Sequence, residues 1–354
     1  MDRANHFSLL EMIEHPAFCV QDGLIVRANK AAQHKLFLEG QKVMDFLPQD
    51  GNAYATFNGG CLYLNVCSHD VIYGASVTRI DDFDLFLLDT EGAKLEALAL
   101  ASQHLKTPLC NIVSALEDLF LGDLKNDLEY DHLRQNIHQL TRIIGNMSDA
   151  NWMRLDSSAQ LETTEFSAFF KELMEKMSAL TEAAGCVLDF QNLAEPVLGL
   201  ADRELLLRAV SNILSNAIKF SPKGSIITVS VVKKGTFLYL TVADPGDEQN
   251  ARCDVFTRYL RPAVIEDSRY GIGLGMKIVH SVAIDHGGTV LVDTPEGGGT
   301  RVTMTIAIRQ NDELITRSPI RLPGGNYTAG LDAGLVEFSE VLPAVAYRDI
   351  EIKE

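Results

Sequence analysis

Asn212, Asn216 and Lys219, within NILSNAIKFSP (212–222), have a spacing that could hold a charged ligand. At i, i+4 and i+7 they fall on one face of a helix. An amide oxygen is a hard ligand suited to Mg2+, and a lysine beside it can meet phosphate. Further on, VADPG (242–246) ends an alternating run on Asp244. Its carboxylate can accept a hydrogen bond from an amino group such as that of adenine, and Gly246 lets a flat base approach the backbone. GIGLGMKI (271–278) sets Gly271, Gly273 and Gly275 ahead of a helix. They free backbone N–H groups to face phosphate at that helix's positive end. GGGT (297–300) turns into a closing strand at Thr300. Singly these stretches are weak signals; in this order they describe a pocket for a magnesium-bound nucleotide. A dinucleotide-type reading fails. The glycines do not follow the first strand of a βαβ unit, and no acid stands at the required distance.

Such a pocket needs a scaffold, and the 354 residues are enough for two or three domains. The formal net charge of -17 argues against nucleic acid and anionic lipid as partners. No apolar run approaches the roughly 20 residues of a membrane span. The charged N-terminal stretch MDRANHFSLLEMIEH lacks the apolar segment of a signal peptide. A cytoplasmic protein is expected. The six cysteines are scattered without a C-x-x-C pair and are read as free thiols, with no structural zinc.

Four segments follow from the pattern. Residues 1–90 hold a hairpin, Ala17–Val20 and Leu24–Arg27 about an Asp22-Gly23 turn. Three β-rich runs come later: CLYLNV, DVIYGASVTRI and DFDLFLLD. Together they predict an antiparallel sheet with helices between its second and third strands. Residues 91–157 carry two heptad seams. One runs Leu98, Ser102, Leu105, Leu109, Ile112, Leu116 and Leu119; the other runs Leu133, Ile137, Leu140, Ile144 and Met147. Each apolar stripe is too narrow to stand alone. Two such hairpins would bury both as a four-helix bundle, so a homodimer is predicted. Residues 158–310 predict an α/β unit. Its helices lie at 166–184, 202–219 and 275–285, and its strands near 186–190, 196–200, 225–232, 237–243, 289–293 and 301–307. Residues 311–354 form a tail of unassigned purpose.

In this order the motifs resemble a two-component sensor histidine kinase. The resemblance spans about residues 92–308, and residues 1–90 resemble a PAS sensor, which could hold a small ligand or serve as a folded spacer. The implied fold class is multidomain α+β. It combines a PAS-like antiparallel sheet, a dimeric two-helix hairpin forming a four-helix bundle, and a two-layer α/β ATP-binding sandwich of the gyrase/Hsp90/histidine kinase type. The implied cofactors are ATP and Mg2+. Asn216 would coordinate the metal, Asn212 and Lys219 would support the phosphates, and Asp244 would read adenine. Gly271, Gly273 and Gly275 would bound a mobile lid. Phe256 would anchor an aromatic box, with Arg258 or Arg261 meeting the γ-phosphate. The closing strands match at HGGTVLV (286–292) and at GGGT, which ends on Thr300. The implied partner is a response regulator. One departure is DPGDE (244–248), where Glu248 replaces a glycine and Asp247 precedes it.

The stretch ASQHLKTPL (101–109) departs further. The family's box reads S-H-E-L-R-T-P-L, so Gln103 takes the phospho-acceptor's place and His104 that of the assisting acid. Consecutive helix positions differ by about 100° in direction. That rotation moves the imidazole away from the in-line geometry that phosphoryl transfer requires. His104 is thus either an exposed helix residue or a shifted acceptor. Thr107 keeps the place of the residue thought to position water for dephosphorylating a regulator, or else braces the helix at Pro108. Of the other histidines, His132 and His138 lie on the second hairpin helix, and His286 fits a structural turn. The leading reading is an ATP-dependent histidine protein kinase relaying phosphate to a response regulator. Its alternative is a pseudokinase that binds ATP and acts as scaffold or phosphatase. A serine-directed kinase on the same ATP fold is disfavoured by the paired heptad helices.

Overall fold

The computed structural model describes residues 10–88, 128–152, 159–246, 275–309, 328 and 331–348, apart from positions 12, 14, 49, 70, 81, 194, 296 and 297. For 128–130, 147–152 and 277 the backbone alone is described. The first heptad helix, with Gln103, His104 and Thr107, lies outside the described residues. So do Gly271, Gly273, Phe256, Arg258 and Arg261.

The N-terminal hairpin forms as its turn chemistry dictates. Strands β1 (Ala17–Gln21) and β2 (Leu24–Ala28) are joined at Asp22 and Gly23, whose φ angles are 52° and 76°. Two successive positive φ values define the tight turn that matches strand twist. A short helix α1 (Lys30–Gln33), a 3-10 turn (Val43–Phe46) and helix α2 (Gly51–Ala55) lead to β3 (Cys61–Ser68), β4 (Val71–Ile80) and β5 (Phe83–Leu88). The five strands pair antiparallel in the order β2-β1-β5-β4-β3. Their inner face is filled by stacked rings. Phe18 lies 5.0 Å from Phe37 and 4.8 Å from Phe86, and all three are fully buried.

The second unit has the predicted elements within one or two residues. Helix α3 (Leu128–Trp152) precedes β6 (Glu162–Glu165), α4 (Phe166–Ala183), β7 (Val187–Gln191), β8 (Leu198–Ala201) and α5 (Arg203–Phe220). Then come β9 (Ile226–Lys234), β10 (Phe237–Asp244), α6 (Gly275–Asp285), β11 (Val290–Asp293) and β12 (Thr300–Ala307). A final short helix α7 (Ala333–Glu337) is followed by a 3-10 turn (Ala344–Tyr347). Strands β6 and β8 form a separate two-stranded ribbon. Period-2 alternation in β10 buries Leu238, Leu240 and Val242 beneath the helices. Their core includes Phe166, Phe170, Met177, Leu206, Val210, Leu214, Ile278 and Val282.

The two units share one sheet. Strand β3 pairs antiparallel with β11, Tyr63 opposite Val290 and Cys61 opposite Val292, giving the ten-stranded order β2-β1-β5-β4-β3-β11-β12-β10-β9-β7. The cores are stitched across the seam: Tyr63 packs into the second core and Leu291 into the first. Gly60 makes this approach feasible. Its φ is 85°, and a Cβ there would stand 2.4 Å from the carbonyl oxygen of Val292. The second heptad seam divides: Ile137 and Ile144 are buried, whereas Leu133 and Leu140 are exposed. Among the described residues, no helix is long and apolar enough to cross a membrane. Among the described residues, Cys19, Cys67 and Cys186 are free thiols.

His286 ties the end of α6 to the start of α5. Its Nδ1 donates to the Val282 carbonyl at 2.7 Å, and its Nε2 accepts from the Asp202 amide at 3.0 Å. Asp202 in turn caps α5 by accepting from the Leu205 amide at 3.1 Å. Burial holds His286 below its ordinary 6.5, although Val282 and Asp202 favour the charged ring. The folded state therefore binds this proton less readily than the unfolded chain. Its contribution to stability is present above pH 6.5 and is lost as pH falls through the window below it. His286→Ala strands a buried amide and should cost about 2 kcal/mol in denaturant unfolding. The variant should also lose the wild-type fall in stability as pH drops below 6.5.

Candidate functional site

Helix α5 is buried on both sides. Leu206, Val210, Ile213, Leu214 and Ala217 belong to the core beneath it. Arg208, Asn212, Asn216 and Lys219 follow one another at steps of four, four and three along another stripe. Asn212 is 1% exposed, and its Nδ2 donates to the Arg208 carbonyl at 3.0 Å. The predicted face therefore exists as a connected polar stripe.

Gly275 opens α6 directly against that stripe. A Cβ at this position would stand 2.9 Å from Asn212 Oδ1 and 3.9 Å from Asn216 Nδ2. Of the three predicted phosphate-loop glycines, Gly275 is the one within the described residues, and it lies beside both asparagines.

Asp244 ends β10 in phase with Leu238, Leu240 and Val242, so alternation turns its carboxylate to the helix-covered face. It is 8% exposed and sits opposite Thr300 in the β10–β12 register. Burial raises its pKa to about 6, while amides of Gly246 and Thr300 draw it back down. The Gly246 amide donates to Oδ1 at 3.0 Å. Gly299, with φ at 81°, lets the β12 turn come close: a Cβ there would lie 2.0 Å from the Asp244 carbonyl oxygen. Asp244, Gly246 and Thr300 thus form one cluster at the sheet end, and Asn212, Asn216 and Gly275 form another on the helices. Helix α5 packs over β10 and connects the two. An open groove of about 1120 Å³ lies elsewhere, along the sheet seam beside Phe57, Arg79, Tyr239 and Thr303. None of the candidate nucleotide residues lines it.

Three site residues were missed by sequence reasoning. Arg142 of α3 is 5% exposed, and its Nη2 reaches Asn212 Oδ1 at 3.5 Å. Glu337 Oε2 accepts from Asn212 Nδ2 at 3.3 Å, and Glu340 Oε2 from Lys219 Nζ at 2.7 Å. The available signal was DAGLVEFSE (332–340), where Asp332 can cap a turn and two acids stand three residues apart. Of the other histidines, His132 is exposed, whereas His138 and His280 are packed against aromatic rings. His138 is buried, bonded to the Arg134 carbonyl at 2.7 Å and 4.7 Å from the Tyr347 ring. His280 lies 5.8 Å from Tyr63 at the sheet seam.

The donor set suits an anionic oxygen ligand. Lys219 and Asn212 already donate to carboxylate oxygens, and Asp244 and Gly246 leave a narrow, buried acceptor at the sheet end. Asn216 would hold the metal and Lys219 the phosphates.

Residues 201–310 match the family described as histidine kinase-, DNA gyrase B-, and HSP90-like ATPase. The sensor histidine kinase WalK of Bacillus subtilis is 28% identical over 257 residues, 69% of this chain and 41% of that protein. The sensor histidine kinase CusS of Escherichia coli is 29% identical over 218 residues, 58% of this chain and 44% of its own length. The Non-motile and phage-resistance protein of Caulobacter vibrioides is 26% identical over 242 residues, 64% of this chain and 28% of that protein. The chain thus spans less than half the length of each of these relatives. The solved structure of full-length ShkA in complex with AMPPNP aligns with a TM-score of 0.45 at 24% identity, over 61% of this chain and 46% of that one. By sequence, therefore, residues 201–310 are similar to histidine kinase-, gyrase- and HSP90-type ATPases, and more than half of the chain is similar to sensor histidine kinases.

Proposed function

We propose that the chain is a histidine kinase-like signalling protein that binds a magnesium-bound adenine nucleotide between α5, α6 and the ends of β10 and β12. The observation that carries this reading is Asp244. It is a buried carboxylate at a strand end, beside Gly246 and Thr300, under a helix whose polar face bears Asn212, Asn216 and Lys219. Asp244 accepts from the adenine amino group, and Gly246 leaves room for the ring. Asn216 ligates Mg2+, and Asn212 and Lys219 steady the phosphates. Gly271, Gly273 and Gly275 shape the lid. The nucleotide would supply a transferable γ-phosphoryl group. The remaining parts of the reading are a PAS-like input sheet at residues 1–90, a dimerising hairpin at 91–157 and a response regulator as partner.

The order of Gln103 and His104 favours a second reading, a pseudokinase that uses the nucleotide as a conformational ligand and acts on a regulator through Thr107. Labelling with γ-phosphate-labelled ATP separates the two. A kinase gives acid-labile label that disappears in His104→Ala and survives in Gln103→Ala. The pseudokinase gives binding without label, and Gln103→His with His104→Glu should then switch labelling on.

Asp244 yields a pH test. Ionised above about 6, it is a full acceptor for the adenine amino group, so nucleotide affinity should fall as pH drops through about 6. Asp244→Asn should weaken Mg-ATP at least about tenfold, ~1.4 kcal/mol, by calorimetry. The sign for stability is opposite. A folded pKa raised above 3.8 means stability is lost as the carboxylate ionises, so the variant should melt no lower than wild type at neutral pH. Unchanged affinity in this variant would remove Asp244 from the site.

A further inference from the structure

The C-terminal segment is built onto the polar stripe of α5. Asp332 caps α7 by accepting from the Leu335 amide at 3.1 Å. The Tyr347 hydroxyl donates to the Leu335 carbonyl at 3.2 Å from a fully buried ring. Arg348 pairs with the buried Asp131 of α3 at 2.6 Å. Gln135 and Gln139 donate to the carbonyls of Leu342 and Ser339 at 2.8 and 3.0 Å. These contacts fix the segment in register with α3 and leave two carboxylates facing α5.

Glu337 is wholly buried between two arginines, 3.4 Å from Arg142 Nε and 3.6 Å from Arg208 Nε, while accepting from Asn212. Glu340 stands 2.7 Å from Lys219 Nζ and 3.3 Å from Arg142 Nη1. Burial pushes Glu340 up, but Arg142 and Lys219 more than offset this and hold it below the usual carboxylate range. The segment therefore presents anionic oxygens to the very residues assigned to phosphate. A polyphosphate brought to the same donors would face both carboxylates in a desolvated setting, where like charges repel strongly.

We propose that residues 331–348 are a built-in competitor of the nucleotide. Glu337 and Glu340 occupy Asn212, Lys219 and Arg142 in place of phosphate oxygens, and nucleotide binds only when the segment leaves. This rests on the reading of that stripe as the phosphate end of a nucleotide site. The apparent Kd is then the intrinsic Kd divided by the fraction of molecules with the segment released, so affinity is lowered by that fraction. Tethering keeps the competitor at a high effective concentration. Signals that loosen α3, which holds the segment through Asp131, Arg134 and Gln135, would open the site.

The test titrates the full chain with Mg-ATP and with adenosine, which lacks phosphates and so does not compete with the carboxylates. Two variants are compared, Glu337→Gln and Glu340→Gln. The second carries a side chain 32% exposed and leaves the buried arginine pair its partner, so it preserves the fold if the first does not. Glu340→Gln should bind Mg-ATP at least tenfold more tightly than wild type while adenosine affinity stays within about twofold. In wild type, backbone amides of 335–342 should lose hydrogen-exchange protection at saturating Mg-ATP. Adenosine binding with ATP affinity unchanged in both variants overturns the competitor and leaves the pocket standing. So does continued protection of 335–342 at saturation. Failure of every form to take up either ligand overturns the pocket and the competitor together.

Discussion

A helix buried on both sides must find partners for the charged groups it carries, and α5 finds them in carboxylates of the C-terminal segment. Its apolar positions sink into the sheet, where each buried side chain contributes on the order of 2 kcal/mol. Its polar stripe is roofed by α3 and the C-terminal segment instead of by water. Arg208 and Asn212 therefore need polar partners: the Glu337 carboxylate meets both, from 125 residues beyond Asn212, and Asn146 Oδ1 accepts from Arg208. A charge so enclosed is costly when alone and tolerable only when paired. The position of α3, the fold of the tail and the state of the candidate site all follow from keeping that cluster neutralised.

Short-range pattern carried much of the fold. The Asp22-Gly23 turn, the alternation of β10 and the polar stripe of α5 each depend on neighbours along the chain, so they are legible without coordinates. Asp244 could be placed on the helix side because it keeps phase with Leu238, Leu240 and Val242. The joining of β3 to β11 was not legible. Strand pairing leaves no mark in either strand beyond ordinary alternation, and Gly60 looks like any loop glycine until Val292 is set against it. Arg142, Glu337 and Glu340 escaped for the same reason: the contact that makes them matter is between segments far apart in sequence. The second heptad seam was visible as a period. Its division into a buried pair, Ile137 and Ile144, and an exposed pair, Leu133 and Leu140, depends on what packs beside α3.

In the proposed reading, two demands on one site are separated. Recognition of the base would fall to the sheet end, where strand register sets Asp244 opposite Thr300. The anionic end would fall to side chains of α5 and α3, which the tail carboxylates already engage. Rigid strands suit a planar base, and movable cations suit a charge that arrives and departs. The electrostatics are consistent with this: the carboxylate at the sheet end lies among amide donors, while those of the tail lie among cations.

The seam between β3 and β11 has a mechanical consequence. Among the described residues, the strand ladder between the two halves has three pairs, Cys61 to Tyr63 against Val292 to Val290. A strand cannot creep along its neighbour, because a one-residue slip would turn Tyr63 and Leu291 to the wrong faces. A one-residue slip is therefore closed to the halves while Tyr63 and Leu291 stay packed. Motion of the aromatic-filled sheet would be delivered to the strands behind the pocket as a click rather than a slide.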